Sequence, residues 1–364
     1  MVDILTCYGH SFMVAACSID RIAAMNMVGD AGVMGTISGL WVRMFKLGIS
    51  RKEQLRPGHL EGLVNGRKHI ALDLYDSLGD LPQAEIDKIQ ERMLRWFRAE
   101  NGVLKRTCAR RFDHFDHLSL SAIAANFSGG QMVRVHDIGV SDGRTSCGFY
   151  DSLNCLYGER LDFLASDYAP YLYVLKRTHS MNRLIIDEQQ HVLQIIRPPF
   201  VFIVGRPEKT KVYHPLTNLV TALYVRPLLE DHNARCANIE MTRLELLCRQ
   251  CRARISENDN FRFESYDVLS CPTERFDIIR AMNVLNYCYF SEAKLRRAVK
   301  NIFQSINDGG LFITGSNIEQ GTIVNGGVYK RTNDRLQRIE ISGNGSYVDA
   351  LISDLGGVDH VLHE

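Results

Sequence analysis

The stretch from Val133 to Phe149, VRVHDIGVSDGRTSCGF, constrains this chain more than any other segment. A β-branched run reaches an acidic residue, passes through two glycines four positions apart, and enters a segment with helical composition. A strand ending at Asp137 and turning through Gly139 and Gly143 brings the backbone close to a ligand, because neither glycine carries a Cβ. The pattern predicts a nucleotide-cofactor loop between a strand and a helix. A dinucleotide-binding loop reads GxGxxG and keeps its acid for the end of the next strand. Here the acid precedes the first glycine, so a nucleotide-dependent oxidoreductase is poorly matched. On this segment alone, an ordinary strand-to-helix turn remains the alternative.

Three more segments follow in order. Residues 161 to 167, LDFLASD, read as a buried strand ending in Asp167, and residues 261 to 269, FRFESYDVL, alternate like a strand before Asp267. FDIIRAMNVLNYCYF, from Phe276 to Phe290, reads as a fourth strand and its loop, followed by a helix at about Ser291 to Ile306 and by NDGGLFITG. This succession resembles the class I S-adenosylmethionine (SAM) dependent methyltransferases, whose first motif is acidic, any, Gly, any, Gly, any, Gly. Ser141 stands at the middle glycine. The run FDIIRAMNVLNY with GGLFITG after the helix looks most like the chemotaxis-receptor branch of that superfamily.

The resemblance implies an α/β fold: a Rossmann-like, mostly parallel sheet closing on a C-terminal antiparallel hairpin near Gly327 to Arg331 and Leu336 to Ile341. It implies SAM as cofactor, with Asp137, Gly139, Ser141 and Gly143 forming the loop. Asp167 would accept the ribose hydroxyls with Tyr168 beside it, Asp267 and Val268 would meet the adenine, and Asn283 would lie next to the cofactor. Asn286 and Tyr287 would orient an acceptor. All three acids should sit at the carboxyl edge of the sheet, where open α/β sheets bind ligands. Each also has a plainer role, since Asp at a strand end is commonly an N-cap or turn former, and Asn286 serves equally well as a cap for the helix near Ser291.

Residues 1 to 128 read as a mainly helical region and 129 to 364 as the methyltransferase-like core. In PQAEIDKIQERMLRWFRAEN, Ile86, Ile89, Met93 and Phe97 recur at helical spacing and form a packing face. The basic, aromatic stretch ahead of the first strand holds Arg110, Arg111 and His114, which the resemblance places over the cofactor, with Arg111 and His114 as candidate acceptor contacts beside Asn286 and Tyr287; a solvated basic face is the alternative. Asp267 lies 100 positions after Asp167, where the resemblance implies roughly 25 to 30 for a strand-helix-strand unit. An insertion is therefore expected, and residues 172 to 215 read as a β-hairpin or meander, with Pro198 and Pro199 starting its last run at a bend or edge. LTNLVTALYVRPLLEDH and IEMTRLELLCRQCRARI read as helices.

Composition bounds the rest. Hydrophobic residues at 45% supply a core, and a net charge of +1 gives no chain-wide reason to expect nucleic acid or an acidic membrane as partner. Ten scattered cysteines favour a reducing compartment and free thiols. Cys248 and Cys251 make a CxxC with no second pair, so no metal is expected, and no cysteine triplet supports a cluster for radical chemistry. The longest uncharged run near the N-terminus, Ala31 to Val42, falls far short of the roughly 20 residues of a membrane span. The expectation is a cytoplasmic protein acting on a small-molecule acceptor, with three alternatives: a protein acceptor, a homodimer formed through the insertion, and a SAM-binding protein without turnover.

Overall fold

The computed structural model describes residues 48–55, 69–79, 81–94, 97, 105, 107–108, 110–204, 221–317 and 323–355. The run Ala31 to Val42 and the closing VDHVLHE lie outside the described residues. Five strands form a parallel array: β1 (Val133–Ile138), β2 (Leu161–Asp167), β8 (Phe261–Ser265), β9 (Phe276–Met282) and β10 (Ile306–Asn317). They lie in the order β8-β2-β1-β9-β10, so the direction of strand addition reverses between β1 and β9. β11 (Val324–Thr332) and β12 (Arg335–Ser342) continue the sheet as an antiparallel hairpin beside β10. The sheet is thus the mostly parallel, Rossmann-like α/β fold expected from the sequence.

β1, β2 and β9 are buried along nearly their whole length because helices cover both faces. One face carries α2 (Asp113–Asn126), α3 (Arg144–Tyr157) and α5 (Arg249–Glu257), packing Phe115, Ile123, Leu153 and Cys251 against Val135 and Phe163. The other carries α6 (Glu292–Ser305), which turns Leu295, Ala298, Val299 and Ile302 inward at helical spacing. Burying each of its larger side chains contributes about 1.5–3 kcal/mol. Ser291 stands at the N-cap of α6, as the sequence implied, with Glu292 in the first turn.

The insertion is a complete second sheet. β3 (Tyr171–Arg177), β4 (Arg183–Ile186), β5 (Val192–Arg197), β6 (Phe200–Ile203) and β7 (Ile239–Glu245) lie antiparallel in the order β6-β5-β4-β3-β7. Pro198 and Pro199 form the turn into β6, an edge strand. The sheet reaches past 172–215 to take its fifth strand from a segment expected to be helical. Residues 239–255 form β7 and then α5, with Cys248 as the N-cap. Met, Arg, Leu and Glu favour a helix intrinsically, but full-length pairing with β3, from Tyr171↔Glu245 to Arg177↔Ile239, prevails.

One face of this sheet is covered by the described segments 48–55, 69–79 and 81–94. α1 (Gln83–Leu94) and the turn Leu72–Leu74 pack Ile86, Ile89, Met93 and Leu72 against Leu172, Ile185, Ile196 and Leu244. The buried Gln194 side chain accepts from Leu72 N and donates to Ile70 O, joining the two segments. The opposite face is covered by α4 (Arg226–Asn233) through Leu228.

Candidate functional site

The loop after β1 is held tightly. Gly139 N and Val140 N both donate to Ser166 O, at 2.7 and 3.1 Å, and the chain passes through the left-handed region at Gly139 (φ +73°), Ser141 (φ +62°) and Gly143 (φ +79°). The glycines answer to protein neighbours as well as to backbone angle. A Cβ at position 139 would lie 2.1 Å from Val284 Cγ2, and one at 143 would lie 2.4 Å from Cys251 Sγ. Ser141 is a non-glycine residue in strained territory. Its N–H donates to Asp167 Oδ2 at 2.7 Å, while its buried Oγ has no hydrogen-bond partner among the described residues.

Asp137 does not present its carboxylate at the sheet edge as expected. It is buried, and its Oδ2 accepts from Ser146 Oγ (2.6 Å) and Arg280 Nη1 (2.9 Å). Arg280 in β9, itself 1% exposed, reaches Asp116 Oδ1 at 2.9 Å with its other nitrogen, between the rings of Phe112 and Phe149. Burial raises the pKa of Asp137 and of Asp116, and the Arg280 charge opposes the rise in both. For Arg280, burial works against the charge, but the two carboxylates outweigh it and raise its pKa. Removing one partner would strand a buried charge, a loss of roughly 3–5 kcal/mol.

Asp167 ends β2 and is nearly saturated. Its Oδ1 meets Lys105 Nζ at 2.6 Å and accepts from Ala169 N at 3.1 Å, and its Oδ2 takes the Ser141 N–H. With about two lone-pair positions per carboxylate oxygen, one acceptor position on Oδ2 is left. Lys105 also donates to Ser141 O at 3.3 Å. Thr107 Oγ1 donates to Asp142 Oδ1 at 2.6 Å, and Arg144 bridges Asp142, Asp87 and Gln90. The chain ahead of α2 is therefore laced over the loop by polar contacts.

Asp267 lies two residues beyond β8, its Oδ1 accepting from Leu269 N at 2.9 Å; Val268 packs into the core beneath α6. Tyr168, Tyr171, Phe97 and Asp267 line a cavity of about 140 Å³ together with the turn between β4 and β5. Asn283 (φ +60°) ends β9 and exchanges hydrogen bonds with Asn317 at the end of β10: Asn283 Nδ2 donates to Asn317 Oδ1 (2.7 Å), and Asn317 N to Asn283 Oδ1 (3.0 Å). Asn286 closes its own turn, its Oδ1 accepting from Cys288 N and its carbonyl from Tyr289 N and Phe290 N. Tyr287 is half exposed. Arg111 stacks on the Phe112 ring, and burial pushes its pKa down to about 10, with Asp142 opposing and Arg280 adding to the fall. His114 is solvent-exposed on the first turn of α2.

The structure thus brings Ser141, Asp167, Tyr168 and Asp267 to one stretch of the sheet edge, with Asn283 at the neighbouring end of β9. It sets Asp137 below them in an ion network. Arg280, Lys105, Asp116 and Arg144 escape a reading of the sequence alone. For Arg280 a signal exists: a lone cation within the apolar run FDIIRAM.

No family model and no curated protein matches this sequence. Solved structures with related folds include the N-methyltransferase NodS from Bradyrhizobium japonicum in complex with S-adenosyl-L-homocysteine. It is 12% identical over 55% of this chain and 60% of NodS, with a TM-score of 0.26. This chain therefore spans less than two thirds of NodS. They also include SAM-bound CalS10, an amino pentose methyltransferase from Micromonospora echinaspora, 12% identical over 64% of this chain and 62% of that one, at a TM-score of 0.29.

Proposed function

We propose that this chain binds SAM across the carboxyl edge of the parallel sheet and transfers its methyl group to a small-molecule acceptor. One observation carries the reading. The left-handed loop Gly139–Gly143 leaves β1 where strand order reverses, and the carboxylate ending the adjacent strand is bonded to that loop's backbone. The residues present fit an adenosyl group in part. Among the described residues Ser141 Oγ is a buried hydroxyl without a partner and Asp167 keeps one acceptor position for a ribose hydroxyl, and Asp267 borders a cavity beside aromatic rings.

SAM supplies an activated methyl on a sulfonium, so the protein's part is binding, alignment and exclusion of water. Asp167 and the Ser141 backbone fix the sugar end. Asn283, locked to Asn317, gives the β9 terminus a rigid wall beside the loop. The polar lacing of Lys105, Thr107 and Arg144 covers the loop from the N-terminal side. Alignment of this kind supplies much of what an in-line displacement needs, and no triad is required.

A second reading has its own support. Lys105 already occupies Asp167 Oδ1, as expected of a methyltransferase fold that binds weakly or without turnover. The test is incubation with methyl-labelled SAM and separate small-molecule and protein fractions of a cell extract. Label in the small-molecule fraction supports the proposal. Label in the protein fraction supports a protein acceptor, and a chemotaxis-like carboxylate acceptor would yield base-labile label there. Binding with no transfer to either fraction sinks the enzyme reading.

A further inference from the structure

Beyond Asp167 the sheet edge opens into the cavity of about 140 Å³, and its walls come from two parts of the fold. Tyr168 and Asp267 belong to the parallel sheet. Tyr171, Glu188 and Gln189 belong to the inserted sheet, and Phe97 follows α1. Among the described residues that line it there is no lysine or arginine. Three aromatic side chains give it flat apolar surface, and its polar groups are the carboxylates of Asp187, Glu188 and Asp267, the Gln189 amide, and the hydroxyls of Ser265 and the two tyrosines. This chemistry suits a planar heterocycle carrying an exocyclic amino group, whose two N–H bonds need acceptors.

The turn that supplies Glu188 and Gln189 is preorganised. Asp187 Oδ1 accepts from His191 N at 2.8 Å, Asp187 Oδ2 contacts His191 Nδ1 at 3.1 Å, and Gln190 N donates to Asp187 O at 3.1 Å. Asp187 itself is 6% exposed, so it pins the turn while its two neighbours face outward into the cavity. Groups fixed before binding lose little entropy on meeting a ligand. The cavity adjoins Tyr168, one residue past the carboxylate that the proposed function assigns to the ribose, which is where a base attached to that sugar would lie.

We infer that the β4–β5 turn of the inserted sheet is a nucleobase-reading element: Glu188 and Gln189 face the amino edge of the cofactor's adenine from the side opposite Asp267. This rests on the proposed cofactor assignment and adds to it, because the selectivity is supplied by the insertion rather than by the parallel sheet. A carboxylate accepts from an amino group and repels a carbonyl oxygen, so the site should reject a base with a keto group at the same position.

The test is calorimetric titration of the full chain with S-adenosylhomocysteine and with S-inosylhomocysteine, which replaces the amino group by a carbonyl. The same titrations are made on the double variant Glu188→Ala, Gln189→Ala, two exposed positions whose loss leaves the core untouched. The wild type should prefer the adenine compound by about 10-fold or more, the scale of a hydrogen bond to a charged group. The variant should lose most of that preference, through weaker binding of the adenine compound alone. Tight binding of the adenine compound with a preference unchanged by the variant overturns this inference and leaves the cofactor assignment standing. Failure of the wild type to bind either compound overturns both.

Discussion

At the residue scale, the proposed ribose site depends on Asp167 and its cation, Lys105. Lys105→Met removes the ion pair with Asp167 and should lower the stability of the free protein by about 3–5 kcal/mol, since a buried carboxylate loses its partner. It also frees Oδ1 for a ribose hydroxyl. The rise in melting temperature on saturation with S-adenosylhomocysteine should therefore be larger in the variant than in the wild type. An equal or smaller rise would remove Asp167 from the ribose site. His136 offers a test of pH dependence. It is buried in β1 against Phe276 and Tyr266, its Nε2 is 2.8 Å from Ser166 Oγ, and burial, with Arg262 adding to it, lowers its pKa to about 3. A group neutral when folded and protonated when unfolded contributes stability that is complete above its unfolded pKa near 6.5 and is lost as pH falls toward the folded value. Denaturant titrations should show the His136→Gln variant losing about 2–3 kcal/mol less than the wild type between pH 6.5 and 4.5, at about 1.4 kcal/mol per unit. Equal losses would mean that His136 is protonated in the folded state.

At the scale of elements, the parallel strands are legible in the sequence because β2 and β9 carry mostly apolar runs, as burial on both faces demands, while β8 alternates. Their order along the chain also marks the acids that end them. What those acids do is less legible. Asp137 reads as a ligand contact in a motif, yet its partner Arg280 is 143 positions away, and no local pattern discloses that pairing. In the sequence the two loop glycines read as room for a cofactor, whereas Val284 and Cys251 fill the space beside them. Gly139→Val should accordingly lower the melting temperature of the free protein markedly, not only its ligand affinity. A variant that melts like the wild type would return the glycine to the role the sequence suggests. β7 is hidden because its residues favour a helix and its register is supplied by β3, a strand with more than 60 positions between them.

At the scale of the molecule, the inserted sheet supports the described segments 48–55, 69–79 and 81–94 and is not an appendage to the parallel sheet. Leu172, Ile185, Ile196 and Leu244 share one apolar cluster with Ile49, Ile70 and Ile89. Excising 172–204 would strip four strands from that cluster, so loss of fold rather than loss of acceptor turnover is the expected result. Among the described residues no helix is long and apolar enough to cross a membrane. The carboxyl edge of the parallel sheet, the polar lacing from Asp87 to Arg144 and the turn between β4 and β5 all border the stretch from Ser141 to Asp267.

The central claim is that this stretch holds an adenosyl cofactor, and calorimetric titration with S-adenosylhomocysteine tests it most directly when wild type and Asp167→Ala are compared. Saturable one-to-one binding is expected of the wild type, with a loss of about 10- to 100-fold in the variant, the scale of a hydrogen bond to a charged group. No heat of binding in the wild type, or equal affinity in a folded Asp167→Ala, would contradict it.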